Sequence, residues 1–209
     1  MTAREEVLGR IRTALGPDRA QPTDVVRGYR SADGREPGSP ELLDVLTDRL
    51  EDYRATVVRC DRADVAVTVT EALGEALGAH DPADVVVAPG LPADRRPAGA
   101  TEDDGRPAVA LAGYAATVTG VSVAIGETGT LVLDGSPLCG RRALSLLPDV
   151  LLCVVDAPQV VGSVPEGLGR LDPSAPLTMI SGPSATSDIE LERVEGVHGP
   201  RTLIVVLVR

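Results

Sequence analysis

The sequence predicts an α/β fold, a parallel or mixed sheet covered by helices, and three observations carry that prediction. Short β-branched runs alternate with segments of helical period. Several of the runs, such as Leu151-Leu152-Cys153-Val154-Val155, are continuously apolar instead of alternating, the pattern of strands buried on both faces. The chain has 209 residues, 43% of them hydrophobic, which suffices for one core without disulfides or metals. Phe and Trp are absent and Tyr29, Tyr53 and Tyr114 are the only aromatic residues, so that core is aliphatic.

The elements follow in order. Thr2 and Glu5 have capping-box spacing ahead of Val7, Leu8, Ile11 and Leu15, and Gly16-Pro17 stops the pattern, which predicts an amphipathic helix. From Asp18 to Gly38 the chain is polar, rich in Arg, Asp, Gly and Pro, and without period, as in an exposed linker. Residues 1–38 thus read as a helix and a flexible linker, and 39–209 as the α/β domain. Ser39-Pro40-Glu41 opens a second helix whose apolar face is Leu42, Leu43, Val45, Leu46 and Leu50. A strand at Thr56-Val57-Val58, a helix from about Asp64 to Leu77 and a strand at Val85-Val86-Val87 come next. Arg95 to Pro107, with its Pro, Gly and acidic clusters, reads as a surface loop. Strands are expected at Val118–Val123, Leu131–Leu133, Leu151–Val155, Leu177–Ile180 and Leu203–Val208. A short helix after the capping-box pair Ser163 and Glu166, and another at Ile189–Arg193, complete the set.

Charge and composition exclude several functions. A net charge of −11 opposes phosphate attraction, and three tyrosines offer few stacking platforms, so nucleic acid is not an expected partner. Cys60, Cys139 and Cys153 are far apart and form no C-x-x-C pair, which gives no spacing for zinc or an iron–sulfur cluster and suits buried thiols instead. No metal site is expected. The opening Met1-Thr2-Ala3-Arg4-Glu5-Glu6 lacks the pattern of a signal peptide, and no segment has the length to span a bilayer, so the expected location is the cytoplasm.

Three segments can carry chemistry. In Gly126-Glu127-Thr128-Gly129-Thr130, a carboxylate, two hydroxyls and two glycines occupy a tight connection between apolar runs. Glycine lets backbone approach a guest, and a partly desolvated Glu127 suits acid/base or nucleophilic work; a hairpin turn with a solvated Glu is the other reading. Burial would raise the pKa of Glu127 and a neighbouring Arg142 would lower it, so the sequence leaves the sign open. Ser181-Gly182-Pro183-Ser184-Ala185-Thr186-Ser187-Asp188 follows a strand and precedes a helix, a geometry that aims N–H groups and hydroxyls at an anion or simply caps the helix. It lacks the Gly-Lys-Ser/Thr ending of a nucleotide-hydrolysing loop. Gly196-Val197-His198-Gly199-Pro200 holds one of two histidines; His198 can bind or protonate a carboxylate, or be an exposed loop residue. Arg142 can clamp a carboxylate, whereas His80 reads as a partner of a helix carboxyl end. Because α/β folds place ligand loops at strand ends, these segments are expected to meet in one cleft at the carboxyl edge of the sheet.

The ordered set Gly126-Glu127-Thr128-Gly129-Thr130-Leu131, Arg142 through Ser145-Leu146-Leu147-Pro148, Ser181-Gly182-Pro183-Ser184 with Asp188-Ile189-Glu190, and Gly196-Val197-His198-Gly199-Pro200 resembles the lactate-utilization protein C (LUD-domain) family. The resemblance covers Val118 to Val208. It implies a three-layer α/β/α domain with a mostly parallel sheet, similar to the ribose-5-phosphate isomerase and CoA-transferase fold. It also implies a part in oxidising L-lactate to pyruvate, as an accessory or ligand-binding subunit beside partner proteins that carry the iron–sulfur clusters, with no cofactor in this chain. On that reading Glu127 is the candidate catalytic residue. Thr128, Gly129, Thr130, Arg142, Ser181, Gly182, Ser184, Thr186, Asp188 and His198 are candidates for holding a small anionic ligand. The alternatives are a stand-alone enzyme of the isomerase/CoA-transferase-like fold acting on an anionic small molecule, and a non-enzymatic sensing module. The sequence departs from the family at Leu151 and Ile204, where the family often has His.

Overall fold

The computed structural model describes residues 2–16, 24–186, 194–195 and 199–209, with backbone only at 185–186 and 194–195. In chain order the helices are α1 (Ala3–Leu15), α2 (Pro40–Asp52), α3 (Val65–Leu77), α4 (Ala108–Leu111), α5 (Arg142–Leu146) and α6 (Val164–Gly169). The strands are β1 (Thr56–Cys60), β2 (Val85–Val87), β3 (Thr101–Glu102), β4 (Ala116–Gly120), β5 (Val123–Ile125), β6 (Thr130–Leu133), β7 (Val150–Asp156), β8 (Val160–Val161), β9 (Thr178–Ile180), β10 (Ala185–Thr186), β11 (Val194–Glu195) and β12 (Thr202–Val208).

Six strands pair in parallel in the order β1-β12-β7-β4-β2-β3. The continuously apolar runs sit at its centre, where each strand feeds two cores. Leu152 and Val154 of β7, with Ile204, Val206 and Val208 of β12, pack with Val69 and Leu73 of α3 on one face. Leu151, Cys153 and Val155, with Leu203, Val205 and Leu207, pack with α2 on the other. That second face is covered by α2 and by a smaller sheet, β8-β5-β6-β9, in which β5 runs parallel to β8 and antiparallel to β6. The three-layer α/β fold is therefore present, its third layer being part helix and part sheet.

The α2 helix starts at Ser39 with Pro40 in its first turn and buries Leu42, Leu43, Leu46 and Leu50. Such side chains contribute roughly 1.5–3 kcal/mol each, enough to hold a 13-residue helix that would be marginal alone. In α1 the capping box is complete: Glu5 N–H donates to Thr2 Oγ1 at 3.3 Å, and Thr2 N–H to Glu5 Oε2 at 2.6 Å. Yet α1 buries no residue. Among the described residues, hydrogen bonds to the domain come later in the arm. Arg30 bonds Glu127, Asp33 N–H donates to Glu166 Oε2 at 3.3 Å, and Gly38 N–H donates to the Val160 carbonyl at 2.9 Å. Residues 24–32 are exposed, whereas Asp33, Arg35 and Gly38 are half-buried.

Two sequence expectations differ from what is observed. The Arg95–Pro107 loop contains β3, which adds to β2 as an edge strand and is followed by the buried Asp103. The run Val118–Val123 is split, because Val121-Ser122 carries the chain from β4 in the large sheet to β5 in the small one. Leu151 and Ile204 face opposite cores, so histidines at these two positions would not point into a common site. The Ile189–Arg193 helix lies outside the described residues. No described helix is long and apolar enough to cross a membrane.

Candidate functional site

The Gly126–Thr130 connection is a hairpin turn built on one 3-10 turn, Gly126–Thr128, followed by Gly129 in the left-handed region at φ 60°. A side chain at Gly129 would meet α2, its Cβ coming within 2.7 Å of the Arg49 Cβ and 3.1 Å of the Arg49 backbone. Glycine is thus required twice, for its backbone angle and for the close approach of the helix. Gly182, at φ 97°, is pressed against Tyr53 at the end of the same helix. The end of α2 therefore backs both motif loops.

Antiparallel register joins the loops. Leu131 pairs with Ile180, so Thr130 faces Ser181 one step beyond. Their hydroxyls lie 2.7 Å apart, and Thr130 Oγ1 is also 2.7 Å from Thr128 Oγ1. Thr130 is buried, while Ser181 is exposed.

Glu127 points away from this chain of hydroxyls. Its Oε1 accepts the Val164 N–H at 2.8 Å, at the start of α6, and its Oε2 accepts from the Arg30 guanidinium at 2.5 Å. The Val164 backbone N–H and then Arg30 hold its carboxyl below the usual carboxylate range, against a weaker opposing effect of burial. The cation beside it is Arg30, in a segment whose composition reads only as a linker; nothing in its local pattern marks it. A hollow of about 520 Å³ lined by Arg49, Asp52, Tyr53, Glu127 and Thr128 opens beside it.

A second hollow, of about 220 Å³, gathers Arg142, Ser145, Thr178, Ser181, Gly182, Ser184 and Gly199. Arg142 has no carboxylate partner among the described residues, whereas its neighbour Arg141 makes a two-pronged ion pair with Asp103 at 2.7 and 2.8 Å. Ser145 donates to the Arg142 carbonyl at 3.0 Å, and Ser184 N–H donates to the Pro200 carbonyl at 2.8 Å, which ties the loop after β9 to the lead-in of β12. A hollow lined by an arginine and several hydroxyl-bearing residues suits a small anion. The side chain of Thr186, and all of Asp188 and His198, lie outside the described residues.

The expected single cleft at the carboxyl edge is not what forms. Arg142, Ser181, Gly182 and Ser184 come together with Gly199, and Thr128 and Thr130 adjoin them through hydroxyls, but Glu127 turns to α6. The hollow lies beside the amino ends of β7 and β12, whose lead-in residues Leu146 and Pro200 line it. The carboxyl edge is filled by the chain itself. The loop Asp134–Gly140 crosses it, taking the Gly90 N–H on the Pro137 carbonyl at 2.7 Å and the Gly120 N–H on the Leu138 carbonyl at 3.1 Å. Asp156, at the end of β7, holds the buried Arg95 at 2.8 Å and Arg62 at 2.8 Å. His80, as its position at a helix end suggests, sits with Nδ1 2.9 Å from the Gly78 carbonyl.

Comparison with known proteins adds three findings. The LUD domain family model matches residues 43–208. Lactate utilization protein C of Deinococcus radiodurans is 43% identical over 175 residues, 80% of each chain; lactate utilization protein C of Bacillus subtilis is 33% identical over 100 residues, 44% of this chain and 41% of that one. The crystal structure of a DUF162 family protein from Deinococcus radiodurans superposes with a TM-score of 0.68 at 35% identity, covering 81% of this chain and 97% of that one.

Proposed function

The chain belongs to the LUD-domain family, and from that premise we propose that it serves L-lactate utilization as a ligand-binding accessory subunit, beside partner proteins that carry iron–sulfur clusters. The observation that carries the reading is Arg142, a guanidinium without a carboxylate partner among the described residues, set in a small hollow with the hydroxyls of Ser145, Thr178, Ser181 and Ser184. Such a site matches a small carboxylate such as lactate or pyruvate, with Arg142 supplying charge and the hydroxyls of Thr178 and Ser181 supplying donors.

Electron transfer is assigned to the partners on the chemistry of the cysteines. Cluster ligation needs grouped thiolates. Cys60, Cys139 and Cys153 are all buried, Cys60 in one core and Cys139 with Cys153 in the other, so the three are not grouped, and burial pushes the Cys153 thiol up to about 12. The alternative of a stand-alone enzyme with Glu127 as base or nucleophile meets a carboxylate whose two oxygens are engaged and whose pKa is lowered, which makes it a weak base.

The test is genetic and biochemical. A clean deletion should abolish growth on lactate, the intact gene should restore it, and Arg142→Gln should restore it poorly while the protein still copurifies with its cluster-bearing partners. Normal lactate growth in the deletion, with no second copy of the gene, would overturn the proposal.

A further inference from the structure

We propose that Thr130 is a positioning residue, which sets the Ser181 hydroxyl as a proton donor into the Arg142 hollow without touching the ligand itself; this rests on the reading of that hollow as an anion site. Thr130 is buried and does not line the hollow, whereas Ser181 is exposed and does. The three hydroxyls Thr128, Thr130 and Ser181 follow one another at 2.7 Å and 2.7 Å.

Each hydroxyl has a single proton, so the direction of such a chain is decided at its ends. In one direction Ser181 donates inward to Thr130. Thr130 then donates to Thr128 at 2.7 Å, and the last proton is that of Thr128, which is half-buried beside the Glu127 hollow. In the other direction Thr128 donates to Thr130, Thr130 donates to Ser181, and Ser181 donates outward. Every internal step is then short, and the last proton needs an acceptor in the hollow. A carboxylate or phosphate oxygen supplies it and holds the chain in this outward direction; a guest that donates there turns the chain inward. Thr130 thereby gives Ser181 a bonded partner in either direction, and an anion drawn by the Arg142 charge selects the outward one. The register that sets Thr130 across from Ser181, and the Gly129 turn that folds Thr128 back onto Thr130, are what the backbone contributes.

The experiment is a double-mutant cycle on the full chain, with inorganic phosphate and pyruvate as probes and dissociation constants from NMR titration. Thr130→Val keeps the shape and removes the hydroxyl; it should weaken both probes by about threefold to tenfold, the loss of one neutral hydrogen bond, while Thr130→Ser stays within about twofold of wild type. Ser181→Ala, at an exposed position, should reproduce the loss, and the double variant Thr130→Val/Ser181→Ala should be no worse than either single one, because Thr130 acts through Ser181. Wild-type affinity in Thr130→Val, an equal loss in Thr130→Ser, or additive losses in the double variant would each overturn the role of Thr130 while leaving the hollow standing, provided that Arg142→Gln still weakens both probes. Affinities that ignore Arg142→Gln, or no binding of either probe to wild type, would overturn the hollow and this role together.

Discussion

Glu127 and Arg142 lie on either side of one hydroxyl chain, yet the fold treats them in opposite ways. Glu127 is satisfied within the chain, by the Val164 N–H and by Arg30, and is held in its charged form. Arg142 is exposed, with no carboxylate among the described residues to answer its charge. On the proposed reading of the Arg142 hollow, the motif holds a structural clasp and a recognition group side by side. In the clasp, removal should be felt in stability. In the recognition group, it should be felt only when a ligand is present.

The sharpest test of the clasp side is its turn. Gly129→Ala places a side chain at φ 60° and drives its Cβ into the Arg49 turn of α2. Left-handed strain and overpacking together should cost about 2–4 kcal/mol, measured as a lower urea midpoint with an unchanged slope. A loss below about 0.5 kcal/mol would mean that α2 does not brace the motif.

Next in size is Glu127→Gln. It preserves shape but weakens a charge-assisted bond to the Val164 N–H, with an expected loss of about 1 kcal/mol. The pH dependence has a definite sign. The Glu127 carboxyl is lowered from an ordinary value of 4.5, so its contribution is complete above that value and is lost as pH falls through the lowered folded one. The stability gap between wild type and Glu127→Gln should be constant from about pH 6 to 8 and close below about pH 4.5. A gap that widens in acid would reverse the assignment and return Glu127 to the role of a raised-pKa acid.

Much of this fold is legible in the amino-acid sequence alone. The apolar runs mark β7 and β12 because burial on both faces leaves no polar alternation, and the capping pairs at Thr2/Glu5 and Ser163/Glu166 mark their helix starts because those bonds are local. The Gly126–Thr130 turn is visible from its glycines for the same reason. What the sequence hides are long-range relations. Nothing within Val118–Val123 reveals that the chain changes sheets at Val121-Ser122, since valines recur on both sides of the switch. Nothing near Arg30 reveals that it reaches Glu127, 97 positions away. The carboxyl edge, where α/β folds commonly receive ligands, is closed by Asp134–Gly140, a loop whose hydrogen bonds to Gly90 and Gly120 only the tertiary fold displays. The first helix marks the same limit: α1 and α2 are both 13 residues long with apolar faces, and only α2 buries its own. Periodicity states that a face exists, not what it meets.

The smallest effect on stability should come from Arg142→Gln, and there the comparison is most exposed to failure. An exposed side chain without a carboxylate partner contributes little to folding, so the variant should unfold within about 0.5 kcal/mol of wild type in ligand-free buffer. The contrast appears on adding a probe. A ligand that binds only the folded state stabilises it by RT ln(1 + [L]/Kd), about 2.7 kcal/mol at a hundredfold excess over Kd. Phosphate or pyruvate should therefore raise the Tm of wild type and of Glu127→Gln alike, and should leave Arg142→Gln nearly unmoved. Chloride at matched ionic strength separates site binding from general screening, which acts on all three proteins equally. If Glu127→Gln lost the ligand-induced shift while Arg142→Gln kept it, the two residues would have to exchange roles: the carboxylate would be the recognition group and the guanidinium an ordinary surface charge.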